Sequence, residues 1–286
     1  MQKPLFTSEI DEYIVKLLSQ STYRTTVLLE EVQKQHTISK QAFYATLRRL
    51  KKAQIIFVNQ KIVQLNKLWV EMLINFTKDV AHTYDEEYRM ESKYLNLEPG
   101  ERVTYNFNSI EEADIFWNHA VLLLVKNHDL QYPICVYNPH EWFLKARPDT
   151  EELVITRLAE QGALLLYVIG GHTNLDKSVV QEMNTWHKNV KASLSEKELL
   201  PSNRYVNTYG DIIIEMKMPL RTAEKINNWF KQGKDGHLYV QELENIIRET
   251  TNIKFTFSNN PKRARKLSKQ IGNHFLMPKN YKIKGD

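Results

Sequence analysis

A chain of 286 residues, 42% of them hydrophobic and with a net charge of +5, is long enough to bury two separate cores. It has no apolar run near the ~20 residues of a membrane helix, and its first residues lack the apolar centre of a signal peptide. The single cysteine, Cys135, excludes an intramolecular disulfide framework and zinc sites built on several cysteines. We therefore expect a cytoplasmic protein without a membrane partner.

Positive charge is concentrated at the two ends of the chain. Residues 1–65 carry 10 Lys or Arg against 5 Asp or Glu, and residues 251–286 carry 9 against 1. The middle is acidic, with 20 Lys or Arg against 28 Asp or Glu in residues 66–250. This distribution predicts that the ends of the chain contact phosphate and that the middle does not.

The first two predicted helices are short. Ser8 is placed to cap a helix from Glu9 to Ser19, and a second helix follows over Val27–Gln35 after a polar connection. Apolar residues at helical spacing in the second helix predict that one of its faces packs in a core. The residues on that face are Val27, Leu28 and Val32.

A third helix is predicted to begin after Ser39, whose side chain is positioned to cap it. Ile38 and Phe43 flank this cap at the spacing of a hydrophobic staple. Phe43, Leu47 and Leu50 form one apolar stripe along the helix. The other faces of the helix carry polar and basic residues. We take these, together with the capping Ser39 and with Lys61 further along the chain, as candidate DNA-binding residues: Ser39, Lys40, Gln41, Tyr44, Arg48, Arg49, Lys51, Lys52 and Lys61.

A β-hairpin follows, with strands Ile55–Val58 and Lys61–Leu65 around Asn59-Gln60. The order of helix, turn, basic helix and hairpin is typical of winged helix-turn-helix domains, which place a helix in the major groove of double-stranded DNA. We assign residues 1–65 to such a DNA-binding domain. The alternative is a small domain that docks on another protein and keeps its lysines solvated.

Residues 66–95 are interpreted as a long connecting helix. The stretch Lys67–Tyr94 contains neither proline nor glycine, and its large apolar residues recur every three or four positions. Because a two-fold DNA-binding protein needs a dimer contact, we expect this helix to form a homodimer. The alternative is that it packs only on its own two domains. The apolar residues are Trp69, Met72, Leu73, Phe76, Val80, Tyr84 and Tyr88.

Residues 96–258 are predicted to form an α/β sensing or assembly domain. Strand and helix patterns alternate after the break at Leu97-Glu98-Pro99-Gly100. The predicted strands are Val103–Phe107, Pro133–Tyr137, Ala163–Ile169, Arg204–Val206, Asp211–Met216 and an edge strand, Ile253–Phe257. The predicted helices run from Ser109 to about His128, from Thr150 to Gly162, over Asp176–Lys188 and over Arg221–Gln232. The predicted fold class is therefore α/β: an N-terminal winged helix-turn-helix, a long connecting helix and a C-terminal α/β sheet domain.

Residues 259–286 are interpreted as a basic C-terminal helix and tail. The helix starts at Pro261, and Leu267, Ile271 and Phe275 share a face that would dock on the protein. Its basic residues are then solvated, or they make a second contact with DNA or phosphate. They are Lys262, Arg263, Arg265, Lys266 and Lys269.

One candidate catalytic site lies on a predicted strand. Asp211, Glu215 and Lys217 occupy alternate positions and share a face, so two carboxylates and an ammonium group could hold Mg²⁺ and activate water. The Glu-x-Lys spacing is similar to that of PD-(D/E)XK nucleases. The sequence departs from those enzymes in the first acid, since only three residues separate Asp211 from Glu215. We expect these residues to be structural and assign no catalytic residue. A metal-dependent nucleic-acid-processing enzyme is the alternative.

A candidate ligand site follows the most apolar strand. Gly171, His172 and Asn174 lead from that strand into a helix, and His140 follows another strand that could end at the same edge. Amides at the helix start attract anions, so a small-molecule effector is one interpretation. The other is a glycine turn with Thr173 or Asn174 as a helix cap. No phosphate loop, nucleophile elbow or metal motif is present in the sequence, so we predict no cofactor and no metal.

The order of these parts resembles the TrmB-like transcriptional regulators. The similarity rests on the N-terminal helices and hairpin, the long helix, Ile134–Tyr137, Gln161-Gly162, Leu164–Ile169 and Tyr209-Gly210-Asp211. In that family a winged helix and a dimer helix precede a phospholipase-D-like domain that binds sugars or other effectors. His172-Thr-Asn-Leu-Asp-Lys departs from the H-x-K-x₄-D motif of catalytic phospholipases D, so the resemblance implies a domain without catalysis.

From these patterns and the resemblance, we predict a non-enzymatic DNA-binding transcriptional regulator with an effector or assembly domain. Besides the metal-dependent enzyme, the other alternative to this regulator is a winged-helix subunit of a larger nucleic-acid complex. The expected partner of the regulator is double-stranded DNA.

Overall fold

The computed structural model describes residues 8–86, 92–125, 132–233 and 237–276, without the side chains of 81–86 and 237–238. It divides into two compact units, Met1–Glu91 and Ser92–Asp286, called here the N-terminal and C-terminal units. Helices and strands are mixed in both, so the predicted α/β class in two domains is confirmed. None of the described helices is long and apolar enough to cross a membrane.

The N-terminal unit opens with three helices and a small antiparallel sheet. Helices α1, α2 and α3 cover Glu9–Gln20, Thr25–Gln35 and Lys40–Lys52. Strands β1, β2 and β3 cover Tyr23–Arg24, Ile56–Asn59 and Ile62–Leu65, in the sheet order β1-β3-β2. One core joins all three helices to the hairpin, and it includes Ile14, Leu28, Val32, Phe43 and Val63.

Local predictions for these helices are partly confirmed. Ser39 caps α3, because its Oγ accepts a backbone N–H from the first turn at 3.1 Å. The prediction that the Ser8 side chain caps α1 is wrong, since it makes no such bond. Leu28 and Val32 are buried in the core, whereas Val27 is 40% exposed. Val27 points away because successive helical residues are rotated by about 100°.

The described part of the long connecting helix ends before the end that the sequence predicts. Helix α4 covers Lys67–Glu86. Residues 87–91, with the predicted apolar position Tyr88, lie outside the described residues. Tyr94, the predicted last residue, belongs instead to a 3₁₀ turn, Lys93–Leu95, at the start of the C-terminal unit. It is buried there with its ring stacked on Phe257 at 4.6 Å between centroids, so the prediction is wrong at this end.

The C-terminal unit is built on a seven-stranded mixed sheet with the order β4-β10-β9-β8-β5-β6-β7. Strands β5, β6 and β7 are parallel, and the other neighbours are antiparallel. Strand β10 lies between β4 and β9, so the prediction that Ile253–Phe257 is an edge strand is wrong. The strands are β4 Arg102–Phe107, β5 Ile134–Asn138, β6 Leu165–Ile169, β7 Val190–Leu194, β8 Arg204–Tyr209, β9 Ile212–Lys217 and β10 Ile253–Asn259.

Helices cover both faces of this sheet. The described helices are α5 Ile110–Val125, α6 Trp142–Ala146, α7 Pro148–Glu160, α8 Asn174–Trp186, α9 Leu220–Gln232, α10 His237–Arg248 and α11 Pro261–Gly272. Strand β7 and helices α6 and α10 are elements that the sequence analysis did not predict. The predicted extension of α5 to His128 lies outside the described residues.

Alternate residues of the central strands divide the sheet into two faces. Ile134 and Val136 of β5 belong to the large core that includes residues of α5 to α10, whereas Cys135 and Tyr137 pack with Ile271 of α11. The predicted apolar face of the C-terminal helix is therefore docked on the sheet. The Ser268 hydroxyl of α11 is also 2.9 Å from the Thr208 hydroxyl of β8, which closes a buried polar contact.

Candidate functional site

Helix α3 of the N-terminal unit has one buried and one exposed face. Phe43, Leu47 and Leu50 are buried, as the sequence predicts, together with Thr46. The opposite face is exposed and repeats at the helical spacing of four, three and four residues. It consists of Gln41, Ala45, Arg48 and Lys52. This exposed face has a small residue at its centre and polar or basic residues around it.

The structure places the other predicted DNA-binding residues around this face in different environments. Lys40 and Lys51 are exposed, and Ser39 is engaged as the cap. Tyr44 is half-buried, with its ring edge-on to Phe43 at 5.5 Å between centroids. These contacts give Ser39 and Tyr44 structural roles within the unit.

Arg49 differs from Arg48, its neighbour in sequence. Its guanidinium contacts the carboxylate of Asp11 on α1, with Nη2 to Oδ1 at 2.5 Å and Nε to Oδ2 at 3.3 Å. Asp11 is only 5% exposed. Among the described residues, Arg48 makes no hydrogen bond or ion pair, so its charge is available to a ligand.

The hairpin loop brings Lys61 to the surface. Its two central residues are Gln60 and Lys61, both with positive φ of 47° and 67°, and not Asn59-Gln60 as predicted. This is the backbone of a two-residue turn that suits the twist of a hairpin. The Lys61 carbonyl accepts both the N–H and the hydroxyl of Thr25 at 2.8 Å. The loop is thereby anchored to α2 while the Lys61 side chain is exposed.

In the C-terminal unit, the predicted ligand residues do not form one pocket. His140 lies next to Asp176 of α8, with Nδ1 and Oδ1 2.8 Å apart, and a Cβ at Gly171 would collide with both side chains. His172 and Asn174 are exposed. The glycine turn with a threonine cap is therefore the interpretation that the geometry supports.

The start of α8 already carries a carboxylate. Thr173 and Asp176 form a capping box, in which Asp176 Oδ2 accepts the Thr173 N–H at 2.9 Å and its hydroxyl proton at 2.7 Å. An anionic ligand here would have to displace or approach that negative charge. The structure gives no support to an anion site at this helix.

Of the candidate catalytic residues, Glu215 is engaged in structural contacts. Glu215 of β9 accepts from Arg204 at 3.0 Å and also pairs with Arg263 of α11. Lys217 is exposed, while Ile214 and Met216 point into the core on the other face. Within the described ranges, no group of three or more His, Cys, Asp or Glu side chains is arranged to hold a metal ion.

The most unusual feature of the C-terminal unit is a small cavity of about 20 Å³ in its core. Such a volume admits one or two groups of the size of water. Three carboxyl groups line it: Asp114 from α5, Glu141 from the loop before α6, and Glu151 from α7. The other lining residues are Trp117, Asn138, Phe143, Tyr167, Tyr205, Asn207, Ile214, Met216 and Phe255.

Among the described residues, Arg147 faces this cluster, and its charge is shared. Arg147 donates from Nη1 to Asp114 at 2.7 Å and from Nη2 to Glu111 at 2.8 Å. Glu141 Oε2 accepts from the Asn138 amide at 2.6 Å. Glu151 is 2% exposed, and its buried Oε1 has no hydrogen-bond partner among the described atoms.

Burial changes the acidity of all three carboxyl groups. It raises the pKa of Asp114 to about 7, despite the opposing effect of Arg147, and raises the pKa of Glu141 to about 7. The pKa of Glu151 lies well above its ordinary value, because of burial and of the neighbouring acids. Each group therefore binds a proton more tightly in the folded chain than in water.

This cluster was not predicted from the sequence. Asp114 and Asn118 stand four residues apart on α5, and both are buried. The signal that could have indicated an interior polar site is a carboxylate at a helix position that faces the core.

Among solved structures, the chain is similar to TrmBL2, an archaeal chromatin protein whose structure shows a novel mode of DNA binding. The TM-score is 0.33 and the identity 8%, over 95% of this chain and 94% of that chain. No protein-family model matches the chain, and no curated protein matches its sequence. A likeness at this TM-score carries no weight for function, which has to come from the geometry of the chain itself.

Proposed function

We propose that this protein is a cytoplasmic, DNA-binding transcriptional regulator. Its N-terminal unit acts as a winged helix that inserts α3 into the major groove of double-stranded DNA, and its C-terminal unit is a non-catalytic effector or assembly domain. The proposal includes the TrmB-like arrangement with a phospholipase-D-like second domain. None of the nine histidines is followed by a lysine two positions later, so the H-x-K element of catalytic phospholipases D is missing from the sequence.

The observation that carries this proposal is the exposed face of α3. Ala45 at its centre lets the helix backbone approach base edges closely, while Gln41 and Arg48 have side chains suited to adenine and guanine. Lys52 on the same face and Lys61 at the hairpin loop are exposed, and in this proposal they contact phosphates beside the groove. The buried stripe behind this face fixes its orientation.

Duplex binding can be measured by fluorescence anisotropy with a labelled DNA of mixed sequence at 50 mM and 200 mM salt. We expect wild-type binding that weakens with salt, and Arg48→Ala should weaken it by a factor of about 5–100, as expected for one lost base contact. Lys16→Ala removes an exposed positive charge from α1 and is the matched control, expected to bind like the wild type.

Two results would contradict the proposal. One is the absence of duplex binding by the folded wild type at 50 mM salt. The other is equal weakening by Arg48→Ala and Lys16→Ala, which would show that charge alone, and not the face of α3, determines the affinity.

We further propose a homodimer formed through α4. Leu68, Met72 and Phe76 are each 61% exposed and follow one another at intervals of four residues, which aligns them in one stripe. An apolar stripe of this kind on a helix is suited to pairing with its copy in a two-fold dimer.

Substitution in this stripe tests the dimer. Phe76→Asp should convert a dimer into a monomer in light scattering coupled to gel filtration, because a charge would be placed in an apolar contact. Thr77→Asp introduces the same charge at the exposed neighbouring position and should remain dimeric. A wild type that is already monomeric at micromolar concentration would rule out the dimer.

The non-enzymatic part of the proposal is supported by the pairing of Glu215 with two arginines. A carboxylate held in this way would have to leave both partners before it could coordinate Mg²⁺. Incubating the wild type with supercoiled plasmid and Mg²⁺ or Mn²⁺ should give no nicking. Metal-dependent nicking that Glu215→Ala abolishes would favour the nuclease alternative.

A further inference from the structure

Among the described residues around the cavity, acidic groups outnumber the positive charges that could balance them. Asp114, Glu141 and Glu151 line the cavity, while the Arg147 guanidinium is already bonded to Asp114 and Glu111. Carboxylates buried without a counter-charge are costly, so they hold a proton or take a cation. A cation that entered the cavity would meet two carboxyl groups, Glu141 and Glu151, that have no described cationic partner.

Glu151 points most directly to a missing ligand. Glu151 is one of the residues that line the cavity, and its Oε1 is fully buried and lacks a hydrogen-bond donor among the described atoms. Buried carboxyl oxygens in folded proteins nearly always accept at least one hydrogen bond. A group with several N–H donors inside the cavity would supply it.

The remaining walls narrow the chemistry of that ligand. Trp117 and Phe143 are stacked at 6.0 Å between centroids, and Tyr205 stands edge-on to Phe143 at 6.2 Å. Aromatic faces combined with carboxylates form the usual binding site for organic ammonium groups, through cation–π attraction and charge-assisted hydrogen bonds. The same walls would be unfavourable for an anion.

We propose that this cavity binds the ammonium group of a small primary amine. The ammonium donates to Glu151 Oε1 and to Glu141, and Trp117, Phe143 and Tyr205 enclose it. The cavity of about 20 Å³ sets the size limit, since it holds only one or two heavy atoms without rearrangement. Ammonium and methylammonium fit this limit, whereas tetramethylammonium exceeds it and has no N–H to donate.

The site would give a chemical identity to the effector of the proposed regulator, and in that sense it rests on the proposed function. Its binding test uses no DNA. Failure to bind amines would leave the DNA-binding proposal intact, and failure to bind DNA would leave the amine site intact.

Thermal unfolding of the full-length protein at pH 8 measures the binding. Ammonium, methylammonium, ethylammonium and tetramethylammonium chlorides are compared at equal ionic strength, with potassium chloride as the reference. We expect a saturable rise in Tm of a few degrees with ammonium and methylammonium, half-maximal on the order of 10 mM, as suits a ligand of one or two heavy atoms. Tetramethylammonium should give the same Tm as potassium.

Two substitutions on α7 locate the effect. Glu151→Gln should abolish the rise in Tm, because the acceptor loses its charge, whereas Glu152→Gln, at the exposed neighbouring position, should retain it. If Glu151→Gln does not fold, the size series in the wild type still decides the question. Equal shifts with potassium and ammonium, no size dependence, or an unchanged response in folded Glu151→Gln would each overturn the proposal.

Discussion

Two arginines that are adjacent in the sequence of α3 have different structural roles. Arg48 projects from the exposed face, while Arg49 reaches Asp11, which lies 38 positions earlier in the chain. Asp11 is nearly fully buried, so its carboxylate depends on this guanidinium for its described hydrogen bonds. The pair joins α1 to α3 and helps to hold the exposed face of α3 in place.

Replacing Arg49 with Ala is therefore expected to lower the free energy of unfolding by about 1–2 kcal/mol, because a buried carboxylate loses its charged partner. The value is moderate since the arginine itself is more than half exposed to solvent. Urea denaturation followed by circular dichroism measures the change. Arg48→Ala should change the stability by less than about 0.5 kcal/mol.

A double-mutant cycle separates the ion pair from other effects of the substitution. Asp11→Ala combined with Arg49→Ala should cost less than the two single changes added together, since the pair is removed as a whole. Additive costs would show that Arg49 stabilises the unit by another route.

At the scale of elements, the C-terminus of α3 holds a residue in an unfavourable conformation. The Ile55 N–H bonds to the Leu50 carbonyl and the Gln54 N–H bonds to the Lys51 carbonyl, both at 3.0 Å. This is the Schellman motif, which requires a left-handed residue and usually has glycine there. Here Gln54 adopts it, with φ of 58°.

Gln54→Gly is expected to raise the free energy of unfolding by about 1 kcal/mol, because glycine takes up a left-handed conformation without the steric cost of a Cβ. DNA affinity should be unchanged, as the substitution leaves the exposed face of α3 intact. Ala53→Gly is the matched control: with φ of −75° it gains nothing from glycine and should destabilise. If both variants lose stability, the left-handed strain at Gln54 is negligible.

Elements encoded by neighbouring residues were predictable from the sequence. The cap at Ser39 and the stripe of Phe43, Leu47 and Leu50 depend on contacts within one helix, so periodicity was sufficient. The position of β10 in the sheet was not predictable in this way. Its pairing partners, β4 and β9, are set by hydrogen bonds between residues about 150 and 40 positions apart, and nothing local in Ile253–Asn259 records them.

The candidate sites show the same division. The basic face of α3 could be predicted because it is the complement of an apolar stripe. The acidic cavity could not, because Asp114, Glu141 and Glu151 come from three elements that only the fold brings together. The sequence around Gly171 has a pattern typical of anion-binding sites. In the structure, the Asp176 carboxylate already occupies the start of this helix with its negative charge.

At the scale of the whole molecule, the two units differ in where the charged groups described above lie. The exposed face of α3 is basic, while the C-terminal unit buries carboxyl groups whose pKa values burial raises. Four of the five tryptophans belong to the C-terminal unit, so tryptophan fluorescence reports chiefly on its unfolding. They are Trp117, Trp142, Trp186 and Trp229.

These buried acids make the stability of the C-terminal unit depend on pH. The pKa of Asp114 and that of Glu141 are about 7 in the folded chain, against ordinary values of 3.8 and 4.5. Between about pH 4.5 and 7 the folded state therefore holds protons that the unfolded state has lost, and stability falls as the pH rises. The charged groups around them are Arg147, which opposes the shift at Asp114, and Glu111, Glu151 and Asp176, which add negative charge.

We expect the C-terminal unit to be more stable at pH 5.5 than at pH 8, by about 1–2 kcal/mol for each fully shifted carboxyl group. Urea titrations of the full-length protein at both pH values, followed by tryptophan fluorescence, measure the difference. Glu141→Gln removes one titrating group and should reduce it, whereas Glu152→Gln, on the exposed side of α7, should leave it unchanged. A wild-type stability that is equal at the two pH values, or higher at pH 8, would mean that the interior acids stay ionised in the folded protein.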